Sequence, residues 1–132
     1  MKKNGFTLIE LLAVIVILAI IALIATPAVL NIIEDSRKGA AEASARNILS
    51  AAKTYRMQQI MKNEDIDMID LTDTDLKYDG DQADKGVIYF WESGSTRTKI
   101  YINGYCVEID EDNKISSEKV TADECVINTT PL

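Results

Sequence analysis

Four features of this 132-residue chain decide what chemistry it can do. Glu10 stands at the mouth of an apolar run: Leu11 to Ile33 carries no charge, and Leu11 to Ala25 is apolar at every position. An acid at the centre of a membrane-crossing helix costs roughly 2.5–3.5 kcal/mol on insertion scales. A buried carboxylate is tolerated when paired and hydrogen-bonded, so Glu10 needs a partner. Asp73, Asp75, Asp79, Asp81 and Asp84 crowd one polar stretch and supply oxygen ligands of the kind calcium takes. Their spacing departs from a calcium-binding EF-hand loop and lacks its closing glutamate. The preferred reading is therefore a solvated acidic loop without metal, with calcium as a weak candidate. Cys106 and Cys125 can oxidise to a disulfide. The fourth feature is an omission: there is no His, which removes the commonest general base and metal ligand. No Ser/His/Asp, Cys/His or phosphate-cradling constellation replaces it. The sequence reads as non-enzymatic and as needing no cofactor.

The elements that position these residues follow from periodicity. The apolar run is long enough to cross a bilayer as a helix, which satisfies its own backbone hydrogen bonds in lipid. Lys2 and Lys3 keep the N-terminus cytoplasmic, so residues beyond about 33 are exported. Export places both cysteines in an oxidising setting, where a disulfide is the expected state and two unpaired thiols the alternative. A second reading of the N-terminus is a removable secretory signal, with Ala25-Thr26-Pro27-Ala28 offering small residues for cleavage. The length of the run and the position of Glu10 argue against it.

From Asn31 to about Met61 the residues are good helix formers. Ala41, Ala45, Ile48, Ala52 and Tyr55 make one apolar stripe at spacings of three and four. The sequence thus predicts one helix from Phe6 to about Met61, on the order of 80 Å at 1.5 Å per residue. Pro27 is its expected kink, Gly39 a second soft point, and a two-piece helix the alternative. Past Asn63 an acidic, irregular stretch carries Met68, Ile69, Leu71 and Leu76 as apolar tethers. Strands are expected at Val87–Trp91, Thr98–Ile102 and Tyr105–Ile109, with a weak edge strand over Lys114–Val120. Asn103-Gly104 is either a tight hairpin turn or a bulge. The fold class is α+β: a long N-terminal helix packed against a three- or four-stranded antiparallel sheet. The segments are 1–5 as leader, 6–30 as the lipid-facing half of the helix, 31–62 as its amphipathic half, and 63–132 as a head.

Charge is unevenly placed. Residues 34–62 hold six basic and three acidic side chains, net +3, whereas 63–132 hold six basic and seventeen acidic, net −11. An acidic head repels phosphate, so the monomer is not a nucleic-acid binder. The contrast also suggests that one protomer's helix sits near another's head. Tyr89, Phe90, Trp91, Tyr101 and Tyr105 are either an adhesive face or, in the preferred reading, core and subunit contacts. Asn128-Thr129-Thr130 satisfies the N-glycosylation pattern, a short and weak signal.

Gly5-Phe6-Thr7-Leu8-Ile9-Glu10, behind a short basic leader and ahead of the apolar helix, resembles the type IV pilins and the related pseudopilins. The close match covers Met1 to about Gly39; the remainder is similar in architecture only. Pro27 sits where many such proteins carry a proline, whereas Ala19 stands where many carry a helix-loosening glycine. The resemblance implies cleavage after Gly5 by a membrane aspartyl peptidase (prepilin peptidase) and N-methylation of Phe6. It also implies self-assembly into a helical filament, driven by an inner-membrane platform protein and a cytoplasmic assembly ATPase. Cleavage would expose an α-amine on Phe6, cationic near neutral pH, as a partner for the Glu10 carboxylate in its own or a neighbouring chain. The competing account of Glu10 is a capping box with Thr7 that merely closes the helix start. The expected function is a pilin of a surface pilus serving adhesion, surface motility or biofilm formation. Its alternatives are a pseudopilin of a type II secretion or DNA-uptake machine, and a binding or enzymatic ectodomain on a simple anchor. The expected location is a single-pass cell membrane before assembly and the cell surface after.

Overall fold

The computed structural model describes residues 4–127. Its elements are one helix, α1 (Leu8–Met61), and five strands: β1 (Met68–Asp70), β2 (Lys85–Phe90), β3 (Thr96–Ile102), β4 (Tyr105–Ile109) and β5 (Ile115–Lys119). The helix continues through Pro27, which lies inside it. The chain divides into two compact units, one up to Ser36 and one from Arg37 onward.

In the first unit every described side chain is exposed; Leu23 and Ile24 are 78% and 75% open. A helix this apolar and this unburied is long enough to cross a membrane. Near Pro27, which cannot donate to the helix ladder, the Thr26 hydroxyl donates to the Ala22 carbonyl at 2.6 Å.

The second unit is an α+β layer. The strands pair in sequence order, all antiparallel, as an up-and-down meander. Ala41, Ala45, Ile48, Leu49 and Ala52 of the helix join Ile69, Ile88, Phe90, Ile100, Ile102, Tyr105, Val107 and Ile109 in one core. Small alanines on the helix stripe let it lie close to the sheet, while the isoleucines supply area, each contributing about 1.5–3 kcal/mol on burial. Thr98, fully buried in that face between Ile88 and Ile109, has a hydroxyl with no hydrogen-bond partner.

The helix stops where its last carbonyls are capped. Asn63 takes a left-handed φ of 64°, Glu64 N–H donates to the Gln59 carbonyl and Asn63 N–H to the Ile60 carbonyl, both at 2.9 Å. That pair of bonds is the Schellman arrangement, with Asn in place of the usual Gly. Ile102 and Tyr105 pair directly across Asn103 and Gly104, whose φ values are 52° and 82°. The two-residue turn, not the bulge, therefore closes the β3–β4 hairpin.

Three expectations change in detail. The sheet has five strands rather than three or four, because Met68–Asp70, read as an irregular tether, pairs with β2. Trp91 lies past the end of β2, in the turn where its N–H meets the Ser95 carbonyl. The helix begins at Leu8 rather than Phe6, because Thr7 caps it.

Candidate functional site

The N-terminal segment is built around a reciprocal cap. Thr7 Oγ1 accepts from Glu10 N–H at 3.3 Å, and Glu10 Oε2 accepts from Thr7 N–H at 3.1 Å. Two donors that a helix start leaves orphaned are thus satisfied by a Thr-x-x-Glu pair. The positive end of the helix dipole further favours a carboxylate there. The cap fixes where helix begins, and so leaves Gly5 and Phe6 in non-helical backbone ahead of it. Phe6 is 84% exposed and nothing lies within 4 Å of where a Gly5 side chain would project. The Gly5–Phe6 peptide bond therefore lies in exposed, non-helical backbone.

The structure places Glu10 in the capping box, the second of the two accounts the sequence allowed. The box engages the carboxylate through Oε2. Lys2 and Lys3, which carry the orientation argument, lie outside the described residues, as do Asn128, Thr129 and Thr130.

In the second unit, Cys106 and Cys125 form a disulfide with Cα atoms 5.5 Å apart and a sequence separation of 19. Cys106 lies on the sheet face opposite the helix, since its neighbours Tyr105 and Val107 belong to the core. Val87 and Cys125 are also buried, yet neither is part of that core. The segment after β5 covers this opposite face. Tyr101 Oη donates to the Val120 carbonyl at 3.3 Å, and Lys85 Nζ donates to the Ala122 carbonyl. The ammonium of Lys85 also sits 5.9 Å from the Tyr101 ring centroid. Within the segment Thr121 N–H donates to Glu124 Oε2 at 2.8 Å. Bonds from Thr121 N–H and hydroxyl hold the Glu124 carboxyl below its ordinary range. Across β3 and β4, Arg97 bonds Glu108 through Nε and Nη2 at 3.0 and 2.7 Å. That carboxylate pushes the guanidinium pKa up.

The five aspartates do not converge. Among the described residues no group of three or more His, Cys, Asp or Glu side chains is arranged to hold a metal ion. The stretch instead lies along one flank of α1. Asn47 Nδ2 donates to the Asp79 carbonyl at 3.0 Å, and Asp81 N–H donates to Ser44 Oγ at 2.9 Å. Gly80 makes this close approach possible: its φ is 111°, and a Cβ there would stand 2.6 Å from Ser44 Oγ. Asp81 Oδ2 accepts from Asn103 Nδ2 at 2.5 Å, tying the loop to the β3–β4 turn. Of the five aromatics, Phe90 and Tyr105 are buried in the core, while Tyr89, Trp91 and Tyr101 are half-buried.

Several organising residues escaped the sequence reading. Arg56, 15% exposed, bonds Asp65 at 3.1 Å and lies 5.0 Å over the Phe90 ring. Ser117 Oγ donates to Glu42 Oε1 at 2.5 Å, fixing the edge strand to the helix. No local pattern announces such long-range pairs. The Thr121–Glu124 pair was missed as well, although its spacing repeats the Thr7-x-x-Glu10 signature.

Against known proteins, residues 1–26 match the family model described as the prokaryotic N-terminal methylation motif. The same motif occurs at the start of type IV pilin and pseudopilin precursors. Comparisons with curated proteins and with solved structures return no match.

Proposed function

We propose that this chain is a type IV pilin: a structural subunit cleaved after Gly5, methylated on Phe6 and polymerised into a surface filament for adhesion, surface motility or biofilm formation. One observation carries the reading. The methylation motif at residues 1–26 ends in an apolar helix with no buried side chain, followed by a separately packed head. An apolar surface of that extent has two solvents available to it, lipid and other copies of itself. A precursor anchored in the membrane and a subunit packed among its neighbours use the same surface in turn. Prepilin peptidase makes the cut, and the platform protein and ATPase supply the work.

Glu10 then has two successive duties. In the precursor it caps the helix through Oε2. After cleavage, the new Phe6 amine gives it a cationic partner, and pairing with a neighbour's amine sets axial register between helices whose apolar faces slide easily. Two substitutions separate the duties. Gln can keep a capping box and carries no charge; Ala keeps neither. The proposal expects Glu10→Gln to lose surface filaments as severely as Glu10→Ala, counted by electron microscopy of sheared material. Normal filament numbers from Glu10→Gln would reduce Glu10 to a cap.

A further inference from the structure

The face of α1 turned away from the sheet carries a regular stripe. Ala43, Arg46, Ser50, Lys53 and Met57 recur at alternating spacings of three and four, and all are exposed. Neither Arg46 nor Lys53 has a carboxylate partner among the described residues. The small residues between them leave both long side chains standing clear. Roughly a third of a turn around the same helix, the acidic segment runs along the flank. Asp75 and Lys77 share a shallow cleft with Ala51, Thr54 and Gln58. Asp79 and Asp81 bond back to Asn47 and Ser44. The aspartates Asp73, Asp75, Asp79 and Asp84 are exposed. One module thus presents a basic ridge and an acidic flank on adjacent faces, with unequal sign and different direction.

Resting on the filament reading above, we infer that the basic ridge of Arg46 and Lys53 is the docking surface for the acidic flank, Asp73 to Asp84, of a second copy of this chain. Charge complementarity selects the occupant. Two copies meeting through the same face would set ammonium against ammonium or carboxylate against carboxylate, which costs several kcal/mol when the pairs are close. Ridge against flank is heterologous, and a heterologous contact that does not close into a ring propagates as a helix. Exposed ion pairs add little affinity individually. The contact therefore fixes which rotation between neighbouring heads is chosen, while the apolar helices supply cohesion.

The test uses full-length chain in cells that assemble it. Lys53→Cys and Asp75→Cys carried on separate, coexpressed chains and treated with a short bis-maleimide that spares the Cys106–Cys125 disulfide should give a ladder of monomer and covalent dimer in sheared filaments. Each single-cysteine variant expressed alone should give none. Separately, Arg46→Glu with Lys53→Glu should lower filament number about tenfold by like-charge repulsion. Adding Asp73→Lys and Asp75→Lys to that variant should restore it. Filaments that assemble normally yet show no ladder, or a double reversal that assembles as wild type, overturn the docking contact and leave the pilin reading intact. Absence of filaments from the wild-type chain overturns both.

Discussion

The two ends of α1 use one backbone geometry for opposite purposes. From Leu11 to Ala25 the helix is apolar on all sides and buries nothing; from Arg37 to Met61 it buries a single stripe of mostly small residues, with Ala41, Ala45, Ile48 and Ala52 fully enclosed. A helix apolar all round seeks lipid or like helices, whereas one apolar on a stripe seeks a sheet. The difference shows that the chain's division of labour is written in the width of the apolar face. The helix itself continues across it. The disulfide and the Arg56–Asp65 and Arg97–Glu108 ion pairs fall in the second unit, where packing has to specify one arrangement. In the first unit the Thr7–Glu10 box closes the helix start.

Substitutions can break this contrast. The largest effect expected is Ile48→Ala, which removes a fully enclosed side chain. It should cost the head about 2–5 kcal/mol, seen as a lower thermal midpoint of the detergent-solubilised chain, while membrane fractionation stays unchanged. The converse is Ile17→Asp, which puts an acid in the middle of the apolar run. It should cost roughly 2.5–3.5 kcal/mol of insertion and shift the chain out of the membrane fraction without altering the head's midpoint. If either change moved both readouts, the two-unit account would fail.

Removing the disulfide by Cys106→Ser with Cys125→Ser should cost about 3 kcal/mol for a loop of this length, measured by denaturant unfolding of the head. Thr98→Val should act in the opposite direction. It replaces an unpartnered buried hydroxyl by a methyl and should raise the head's stability by about 1 kcal/mol.

The smallest effect is a pH dependence. Glu124 titrates below its ordinary value of 4.5 because it accepts from Thr121. Its stabilising contribution is therefore present above that value and lost as pH falls through the lowered one. Amide protection at Thr121 should hold from neutral pH down to about 4.5 and fall at more acidic pH. Glu124→Gln should weaken that acid dependence.

Legibility in the sequence followed the length of each pattern. The helix stripe, the end near Met61 and the three central strands were readable because each pattern repeats over many residues. Strand β1 was not, since three residues that follow Asp67 and end in Asp70 give alternation no room, although Ile69 was recognised as a tether and is 2% exposed. The packing of the segment after β5 onto the far sheet face was also hidden. It depends on Lys85 and Tyr101 reaching backbone carbonyls, Ala122 and Val120, that carry no side-chain signal. At the candidate site, the cleavage motif was plain in the residues themselves. The capping geometry of Glu10 stood in the sequence as one of two readings, and only the structure showed the box formed.

The central claim is that residues 1–5 are a leader cut on the cytoplasmic side and that the rest is the subunit. Mass spectrometry of the N-terminal peptide from surface-sheared filaments tests it most directly. The account predicts a mature chain beginning with N-methylated Phe6. An N-terminus retaining Met1, or one beginning within Ala25-Thr26-Pro27-Ala28 after signal-peptide removal, would contradict it.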